Sequence, residues 1–276
     1  MKSYLTILFL TILTVSAQNK GDFTFEIEAN QIRYNNMELA NRFLRDTTSE
    51  TSKLFGSKYI NDTLKKSGLY GLSLSYQPLN FMSFGIYGSY QSNRFNRTYD
   101  QVSLGYDISM NPEFLIGHYL EKVTTSSLTI GASTTVYLNK IFQFEKYNTK
   151  FLQRFQIGVG LKGGFSLNAF EIGNGITGMQ YITSLLKTND IPGQEHMNYQ
   201  TFRSQNWSGS IELKLGYRIV QRKLFSTFGV KIGYQFHSTP VLKDKGDRAF
   251  QYGATNEEMK LNFSGLYYGI YLNFGK

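Results

Sequence analysis

The sequence has no cysteine, few prolines and little charge. None of its 276 residues is Cys and only 4 are Pro. Without thiols, the chain has no disulfide framework, no cysteine-ligated zinc or iron–sulfur site and no thiol nucleophile. Charged residues make up 18% of the chain, below the roughly 25% typical of soluble domains. Aromatic side chains supply much of the apolar content instead, with 20 Tyr and 22 Phe.

Long hydrophobic runs are also missing, apart from a short one near the N-terminus. Lys2 precedes an apolar run over 5–15, and the small residue Ala17 fits a signal-peptidase site before Gln18. The run is too short to span about 30 Å of hydrocarbon as a helix, which disfavours the alternative of an uncleaved anchor. We expect residues 1–17 to be a secretory signal peptide and 18–276 to form a single domain.

Apolar and small polar residues alternate along most of the remaining chain. The segment 71–76 reads Gly-Leu-Ser-Leu-Ser-Tyr, the two-residue period of a strand with unlike faces. Most segments of this kind are long enough, at about 9 to 11 residues, to cross a bilayer when tilted. The period predicts strands near 22–31, 69–77, 81–91, 101–108, 128–138, 155–166, 207–219, 224–236 and 264–274.

The two faces of these predicted strands differ in composition. One row has no charged residue, whereas the opposite row has 12 Gly, 9 Ser and 9 charged residues. A soluble sandwich or lipocalin-like barrel presents a row rich in Lys, Glu and Thr to water, whereas a Gly/Ser row suits a crowded interior. In lipid every backbone polar group must be paired, and strands achieve this only in a closed barrel. We therefore predict an all-β, transmembrane, antiparallel up-and-down β-barrel whose apolar row faces lipid.

Aromatic residues cluster near the ends of the predicted strands. Such residues are typical of the aromatic girdles that membrane barrels carry at both lipid–water interfaces. The predicted girdle consists of Tyr70, Tyr76, Tyr90, Tyr106, Trp207, Tyr217, Tyr234 and Phe274.

Loop lengths predict the orientation and the strand number. The turns 77–80 and 220–223 are short, whereas 32–68, 167–206 and 237–263 are long, and outer-membrane barrels keep short turns periplasmic and long loops extracellular. An even strand number requires either a tenth strand at 114–121 or an external excursion over 94–123, which leaves eight. A turn at Asn111-Pro112 favours ten.

The signal peptide, the lipid-facing row, the asymmetric loops and the last strand, Leu-Tyr-Tyr-Gly-Ile-Tyr-Leu-Asn-Phe over 266–274, resemble the small porin-like outer-membrane β-barrel proteins of Gram-negative envelopes. The resemblance covers the chain from residue 18 onward. It implies an exported outer-membrane protein whose terminal strand, ending in Phe274, is recognised by the barrel-insertion machinery.

Charged residues on the inward row form a nearly balanced set. Besides Asp22, we expect a lumen charge network of Glu26, Glu28, Asp107, Lys162, Glu212, Lys214, Arg218 and Lys231. The interior of an eight- to ten-stranded barrel is only wide enough for side chains or a thread of water, and unpaired charges there cost several kcal/mol each. We expect Glu212, Lys214 and Lys231 to form part of a salt-bridge network that constricts the lumen. The alternative is that these residues face water in a small pore.

The loops carry the remaining positive charge. Basic residues outnumber acidic ones in 33–67, which favours attraction to lipopolysaccharide phosphates or to an acidic partner. Apolar residues at helical spacing predict helices at 36–45 and 176–187 that cap the barrel mouth. Nucleic acid is not an expected partner.

Residues for catalysis or metal binding are few. His237 with Ser238 and Thr239 follows a predicted strand, and Glu195-His196 lies in a predicted long loop, so a rim His–Ser pair with an acid is conceivable for an outer-membrane enzyme. No ligand spacing suggests a metal and no motif suggests a cofactor. We therefore expect a non-enzymatic structural or interaction protein of the envelope: a scaffold, a surface receptor or an export accessory. Its expected partners are membrane lipid, lipopolysaccharide and other envelope proteins. A narrow pore for small solutes is the alternative, and a rim enzyme a lesser one.

Overall fold

The computed structural model describes residues 22–35, 37–44, 64–105, 114–147, 149–182, 188–190, 196–219, 227–252 and 257–275. Most of these residues are in β-strands. The signal peptide predicted for 1–17, the girdle residue Tyr106, the charged residue Asp107 and the turn predicted for 220–223 lie outside the described ranges.

The strands alternate between inward and outward side chains, as the sequence predicts. They run over Asp22–Tyr34 (β1), Lys66–Leu79 (β2), Met82–Gly105 (β3), Phe114–Tyr137 (β4), Phe155–Ile182 (β5), Thr188–Asp190 (β6), His196–Tyr217 (β7), Thr227–His237 (β8), Gln251–Tyr252 (β9), Glu257–Glu258 (β10) and Gly265–Phe274 (β11). Short helices cover 38–44 (α1), Leu138–Ile141 (α2) and Lys150–Arg154 (α3), with a 3₁₀ turn at Phe144–Lys146.

Eight of the described strands close into an antiparallel ring. Their hydrogen-bonded order is β1, β2, β3, β4, β5, β7, β8, β11 and back to β1. The short β6 extends the tip of β5, and β9 pairs with β10 outside the ring. Closure removes every sheet edge from the wall, because each of the eight strands has a hydrogen-bonded neighbour on both sides.

The predicted ten strands are wrong, and the alternative of eight is correct. The segment 101–108 is not a separate strand, because residues up to Gly105 continue the 24-residue β3. The proposed tenth strand at 114–121 is likewise the first part of β4, which also has 24 residues. The two strands pair from Met82↔Val136 to Gly105↔Phe114, so 94–123 is mainly the upper part of one long hairpin.

A second long hairpin replaces the long loop predicted at 167–206. The strands β5 and β7 pair from Phe155↔Tyr217 to Ile176↔His196. The helix predicted for 176–187 is therefore wrong over 176–182, which belongs to β5, while 183–187 lies outside the described residues. The helix predicted for 36–45 is confirmed over 38–44.

A reversal of the hydrophobic pattern explains both errors. In the lower part of the barrel the outward row is apolar and exposed, as at Ile86 (66% exposed) and Ile130 (63%). Further along the same strands the apolar residues point inward instead, with Phe95, Val123 and Phe170 all buried. A prediction that requires the apolar row to face outward ends each strand at this reversal. The hydrogen-bonded pairing of the strands nevertheless continues through it.

The two ends of the barrel differ. One end, here called the turn end, holds the tight β2–β3 turn and the linker 138–154 with its two short helices. The turn lies at Asn80–Phe81 rather than over the predicted 77–80, because β2 continues to Leu79. The other, here called the hairpin end, holds the two long hairpins, α1 and the segment 238–264. No helix in the described ranges has the length and apolar character needed to cross a membrane.

Candidate functional site

The interior of the barrel is filled by three successive layers of side chains. Along β5 the inward residues are Lys162, Ser166, Asn168 and then Phe170, so the wall passes from charged to polar to apolar toward the hairpin end. The inward residues Glu212, Ser208 and Phe202 follow the same order on β7. Each layer is built by alternate residues of neighbouring strands, as strand geometry requires.

The first layer, here called the charge layer, is a set of buried ion pairs across the lumen. It consists of Glu26 and Glu28 from β1, Lys162 from β5, Glu212 and Lys214 from β7, and Lys231 from β8. Three acidic and three basic groups give this set a formal charge of zero among the described residues.

Glu212 lies at the centre of the charge layer. Its Oε2 is 3.3 Å from Lys162 Nζ and 3.1 Å from Lys231 Nζ, and its Oε1 is 3.1 Å from Lys214 Nζ. Tyr267 Oη donates a further hydrogen bond of 2.8 Å to Oε2. The side chain of Glu212 is fully buried, so these groups take the place of water around its carboxylate.

The two glutamates of β1 complete the charge layer. Glu28 pairs with Lys162 at 2.8 Å and also with Lys231, which closes a ring of four alternating charges with Glu212. Glu26 accepts hydrogen bonds of 2.7 and 2.9 Å from Lys214 Nζ. Because β1 lies across the ring from β5 and β7, these pairs bridge opposite walls of the barrel.

Tyrosine rings line the lysines of the charge layer. The Nζ of Lys162 lies 5.5 Å from the ring centre of Tyr87, and that of Lys214 lies 5.5 Å from the ring centre of Tyr271. Lys231 is 5.8 Å from the Tyr267 ring. At these distances the ring faces attract the lysine ammonium groups. A cavity of about 20 Å³ beside Glu28 and Lys162 leaves room for about one water molecule.

Three carboxylates of the charge layer also lie close enough to share a cation. One oxygen from each of Glu26, Glu28 and Glu212 falls within 4.8 Å of the others. All three already pair with lysine ammonium groups, which supply the positive charge that a metal ion would bring.

Two predicted charge positions occupy other places. Arg218 follows β7 at the turn end, where its backbone N–H donates to the carbonyl of Arg154 at 2.9 Å, and it is not among the residues of the charge layer. Asp22 is the first residue of β1, four residues before Glu26.

The second layer, here called the polar layer, is a hydrogen-bonded group of hydroxyl and amide side chains. Ser166 Oγ bonds to Thr129 Oγ1 at 2.6 Å and donates to Ser208 Oγ at 2.8 Å. Asn168 donates to Asn206 at 2.9 Å. These buried residues come from the adjacent strands β4, β5 and β7, so these bonds line one side of the lumen next to the charge layer.

His237 belongs to the polar layer rather than to an open rim. It is the last residue of β8 and is 7% exposed. Its Nδ1 is 2.6 Å from Asn206 Nδ2, and its Nε2 is 3.5 Å from Ser127 Oγ. Nδ1 also lies 3.2 Å from the main-chain carbonyl of Ser238, whose Oγ donates to the Trp207 carbonyl instead. The contact between His237 and Ser238 therefore does not involve the hydroxyl that the predicted rim pair requires. His118 lies in β4 and His196 begins β7.

The third layer, here called the apolar plug, fills the hairpin end. Helix α1 and the residue before it contribute buried Met37, Ala40 and Leu44, and the segment 238–264 contributes Leu242, Met259, Leu261 and Phe263. They pack on the inward residues Phe95, Val123 and Phe170 of the long hairpins. Phe250 stacks on Phe202 with ring centres 4.1 Å apart. The predicted capping role of the first loop helix thus agrees with its burial inside the mouth.

Aromatic side chains predicted for the girdle lie on the outer face. Trp207 is 73% exposed and packs edge-to-face on Phe165 with ring centres 6.0 Å apart. Tyr70 and Tyr90 are exposed cross-strand partners. Tyr76 packs on Phe23, Tyr217 on Phe151, Tyr234 on Phe236 and Phe274 on Phe25.

An exposed group of three basic residues, here called the basic triad, lies on the outer face toward the hairpin end. Arg33 on β1 is the direct cross-strand partner of Lys66 on β2. Arg94 on β3 lies two residues beyond Ser92, the partner of Gly68, and the neighbouring Asn93 donates to the Lys66 carbonyl at 2.7 Å. The described residues provide no acidic partner for the triad. Like charges on adjacent strands repel, so an anion bound between them would be stabilising.

No protein-family profile and no curated protein sequence matches the chain. Among solved structures, the chain is similar to outer-membrane barrel proteins of Gram-negative bacteria. One is the attachment invasion locus protein Ail of Yersinia pestis, solved in complex with the heparin analogue sucrose octasulfate: 11% identity, 93% of this chain and 97% of that chain covered, TM-score 0.28. Another is the outer-membrane protease OmpT of Escherichia coli: 9% identity, 95% and 97% covered, TM-score 0.26. A third is the translocator domain of the autotransporter NalP of Neisseria meningitidis: 7% identity, 99% and 96% covered, TM-score 0.20.

Proposed function

We propose that this chain is an outer-membrane β-barrel that does not conduct solutes and acts as an interaction protein of the cell envelope. The observation that carries the proposal is the closed lumen. Buried ion pairs, a hydrogen-bonded polar layer and an apolar plug occupy successive levels of the interior. A barrel filled in this way offers its surfaces, rather than its interior, for function.

The outer surface supports a position in the membrane. Large apolar side chains such as Leu72, Ile86, Ile130 and Val230 are at least half exposed around the lower barrel. At about 25 cal/mol per Å², leaving such a band in water would cost far more than a typical domain's net stability. Acyl chains remove this cost, and each of the eight described strands of the ring is hydrogen-bonded to a neighbour on both sides, as strands in lipid require.

The hairpin end is proposed to face the cell exterior. It holds the projecting hairpins, whereas the tight β2–β3 turn lies at the opposite end, and outer-membrane barrels keep their longer connections outside. With this orientation, the basic triad lies beside the outer leaflet. Lys66 is four residues from the exposed Tyr70 on the same face of β2, close to where headgroup phosphates would lie.

The basic triad supports lipopolysaccharide as one partner. Guanidinium groups bind phosphate through paired hydrogen bonds, and three cations on adjacent strands match a cluster of phosphates. Exposed residues of the segment 238–264, such as Lys245 and Arg248, remain available to other envelope or surface partners.

Two measurements test the proposal. Proteoliposomes should show no more swelling in small sugars than protein-free liposomes, because the lumen is filled at three levels. Rapid swelling would favour the narrow pore instead.

The variant R33Q/K66Q/R94Q should bind phosphorylated lipid A about tenfold more weakly than the parent. The matched control K243Q/K245Q/K260Q makes the same charge change at the same end and should bind normally. An equal loss of lipid A binding in both variants would show that binding depends only on the net charge of the protein.

A further inference from the structure

The linker 138–154 is unlike the tight β2–β3 turn at the same end of the barrel. It folds into α2, a 3₁₀ turn and α3 rather than passing directly from β4 to β5. Its start is fixed to the adjacent turn, because the backbone N–H of Tyr137 donates to the Phe81 carbonyl at 2.7 Å. Gln153 Nε2 also donates to the Tyr147 carbonyl at 2.9 Å, which joins the 3₁₀ turn to α3.

The linker exposes large apolar side chains. Phe142 is 62% exposed, Phe151 56% and Tyr147 53%. Phe142 and Tyr147 each pack against the ring of Phe144, with ring centres 6.4 and 6.1 Å apart, but both keep most of their own surface exposed. Ile141 and Ile219 are also exposed. A patch of this kind on a short connection is costly in water and indicates a surface that is covered in the functional protein.

The linker's aromatic residues continue the outer wall of the barrel. Phe151 stacks on Phe155 of β5 and packs against Tyr217 of β7, with both pairs of ring centres 5.7 Å apart. Phe155 and Tyr217 are cross-strand partners. The apolar surface of the linker is therefore joined through Phe151 to the aromatic residues of the barrel wall.

The linker also carries a positive charge. Between 138 and 154 the sequence has four basic residues and one acidic residue. Lys146 and Lys150 are exposed next to the aromatic groups. Aromatic rings with neighbouring lysines are the side chains that settle at a lipid–water interface, where the rings lie among the headgroups and the ammonium groups reach phosphate.

We propose that the linker 138–154 is a membrane-interface anchor that binds the anionic phospholipid of the leaflet on the turn side of the barrel. Phe142, Tyr147 and Phe151 insert at the boundary of headgroups and acyl chains, while Lys146 and Lys150 pair with phosphate groups. This inference rests on the proposed membrane position of the barrel. It adds a site with a defined lipid chemistry at the end opposite to the basic triad.

The experiment places a tryptophan in the linker and measures its quenching by lipid. The chain has one Trp, so the variant W207F/F142W reports from the linker alone, while the parent protein reports from Trp207 on the barrel wall. Both proteins are reconstituted in vesicles of phosphatidylcholine and phosphatidylglycerol in which one of the two lipids carries brominated acyl chains. We expect Trp at 142 to be quenched by the lipid, and brominated phosphatidylglycerol to be about fivefold or more over-represented around it relative to brominated phosphatidylcholine.

The double variant K146Q/K150Q, made in the same reporter, should keep the quenching but lose the preference for phosphatidylglycerol. The matched control K243Q/K245Q makes the same charge change at exposed lysines of the hairpin end and should keep the preference at position 142. Quenching of Trp207 in the parent without quenching of Trp at 142 would overturn the anchor and leave the proposed function standing. Absence of quenching at both positions would contradict the membrane barrel itself. A preference that survives K146Q/K150Q would show that the lysines do not select the lipid.

Discussion

Glu28 lies directly opposite Gly71 across the β1–β2 pair, and the glycine leaves the space that the carboxylate occupies. A Cβ built on Gly71 would lie only 2.7 Å from Glu28 Cδ. The same relationship recurs at the centre of the charge layer, where Glu212 is opposite Gly160. The glycines of the inward row thus provide the volume in which the buried glutamates meet their lysines.

Substitution of Gly160 by Ala tests this relationship. The new methyl group would lie 2.7 Å from Glu212 Cγ, and the ion pairs hold Glu212 in place, so we expect a loss of about 1–3 kcal/mol in the free energy of unfolding. Denaturant titration in detergent micelles measures the loss. Gly163 is the matched control, because it lies on the same strand, faces outward and has no atom within 4 Å of its added Cβ. Equal stability of Gly160→Ala and Gly163→Ala would refute the steric argument.

Removal of the central charge should destabilise the barrel more strongly. The variant Glu212→Gln leaves Lys162, Lys214 and Lys231 with two carboxylates instead of three, and breaking a buried pair costs about 3–5 kcal/mol. The exposed pair between Arg42 and Glu257 gives the control, since Glu257→Gln should cost less than about 1 kcal/mol. The double variant Glu212→Gln/Lys231→Met should recover part of the loss. A small cost for Glu212→Gln alone would mean that water reaches these groups.

The apolar plug should unfold separately from the charge layer when its packing is weakened. Phe170 is fully buried, and its ring packs on Phe43 and Phe250 at 6.0 Å. We expect Phe170→Ala to cost about 3–5 kcal/mol and to speed amide exchange in α1 and 238–264 while the exchange of β8 stays unchanged. Phe142→Ala removes a side chain of the same size from an exposed position at the other end and should leave the plug unaffected. If amide exchange became faster by the same factor in the plug and in the strands of the wall, the two would unfold together, contrary to this prediction.

The turn at 244–248 should loosen at low pH. Asp244 accepts hydrogen bonds from the backbone N–H of Arg248 at 2.9 Å, from Arg248 Nε at 2.9 Å and from the backbone N–H of Gly246 at 2.8 Å. These bonds, led by the backbone N–H of Arg248, hold the pKa of Asp244 below its ordinary value. A lowered carboxyl pKa stabilises the turn above the ordinary pKa, and this contribution is lost as the pH falls through the lowered value.

Amide exchange of Gly246 and Arg248, corrected for the intrinsic rate, measures this loss. Protection should fall as the pH decreases through the acidic range. In Asp244→Asn it should be lower already at neutral pH and no longer depend on acid. Unchanged protection of the parent protein at acidic pH would contradict the role assigned to the carboxylate.

The lower barrel could be predicted from the sequence because two physical rules agree there. An inward Gly/Ser row and an outward apolar row each give a two-residue period, and the lipid-facing positions such as Ile86 and Val230 are exposed as expected. The pairing of Glu212 with Lys214 and Lys231 follows from the cost of burying single charges. The lysine partners of Glu28 could not be predicted from the sequence, because β1 approaches β5 and β7 only across the lumen of the closed ring.

The upper barrel was predicted less well, because the apolar and polar faces of its strands are exchanged there. Around Phe95 and Phe170 the apolar row turns inward, as in a soluble protein, so the segments read as loops. The reversal itself is the signal that could have identified them: exposed Arg94 stands next to buried Phe95, and exposed Arg203 next to partly buried Phe202. The linker 138–154 was also missed, because its short helices have no helical period that could be distinguished from a loop.

Planar-bilayer recording tests the closed lumen most directly. Purified protein, shown to be inserted by lipid quenching of Trp207, is added to a bilayer under an applied voltage. Because three layers fill the lumen, we expect the parent protein to give the same current as the protein-free bilayer. The variant Phe170→Ala should also give this current, because the charge layer remains in place when the apolar plug is weakened. Discrete and reproducible channel openings from the parent protein would contradict the account.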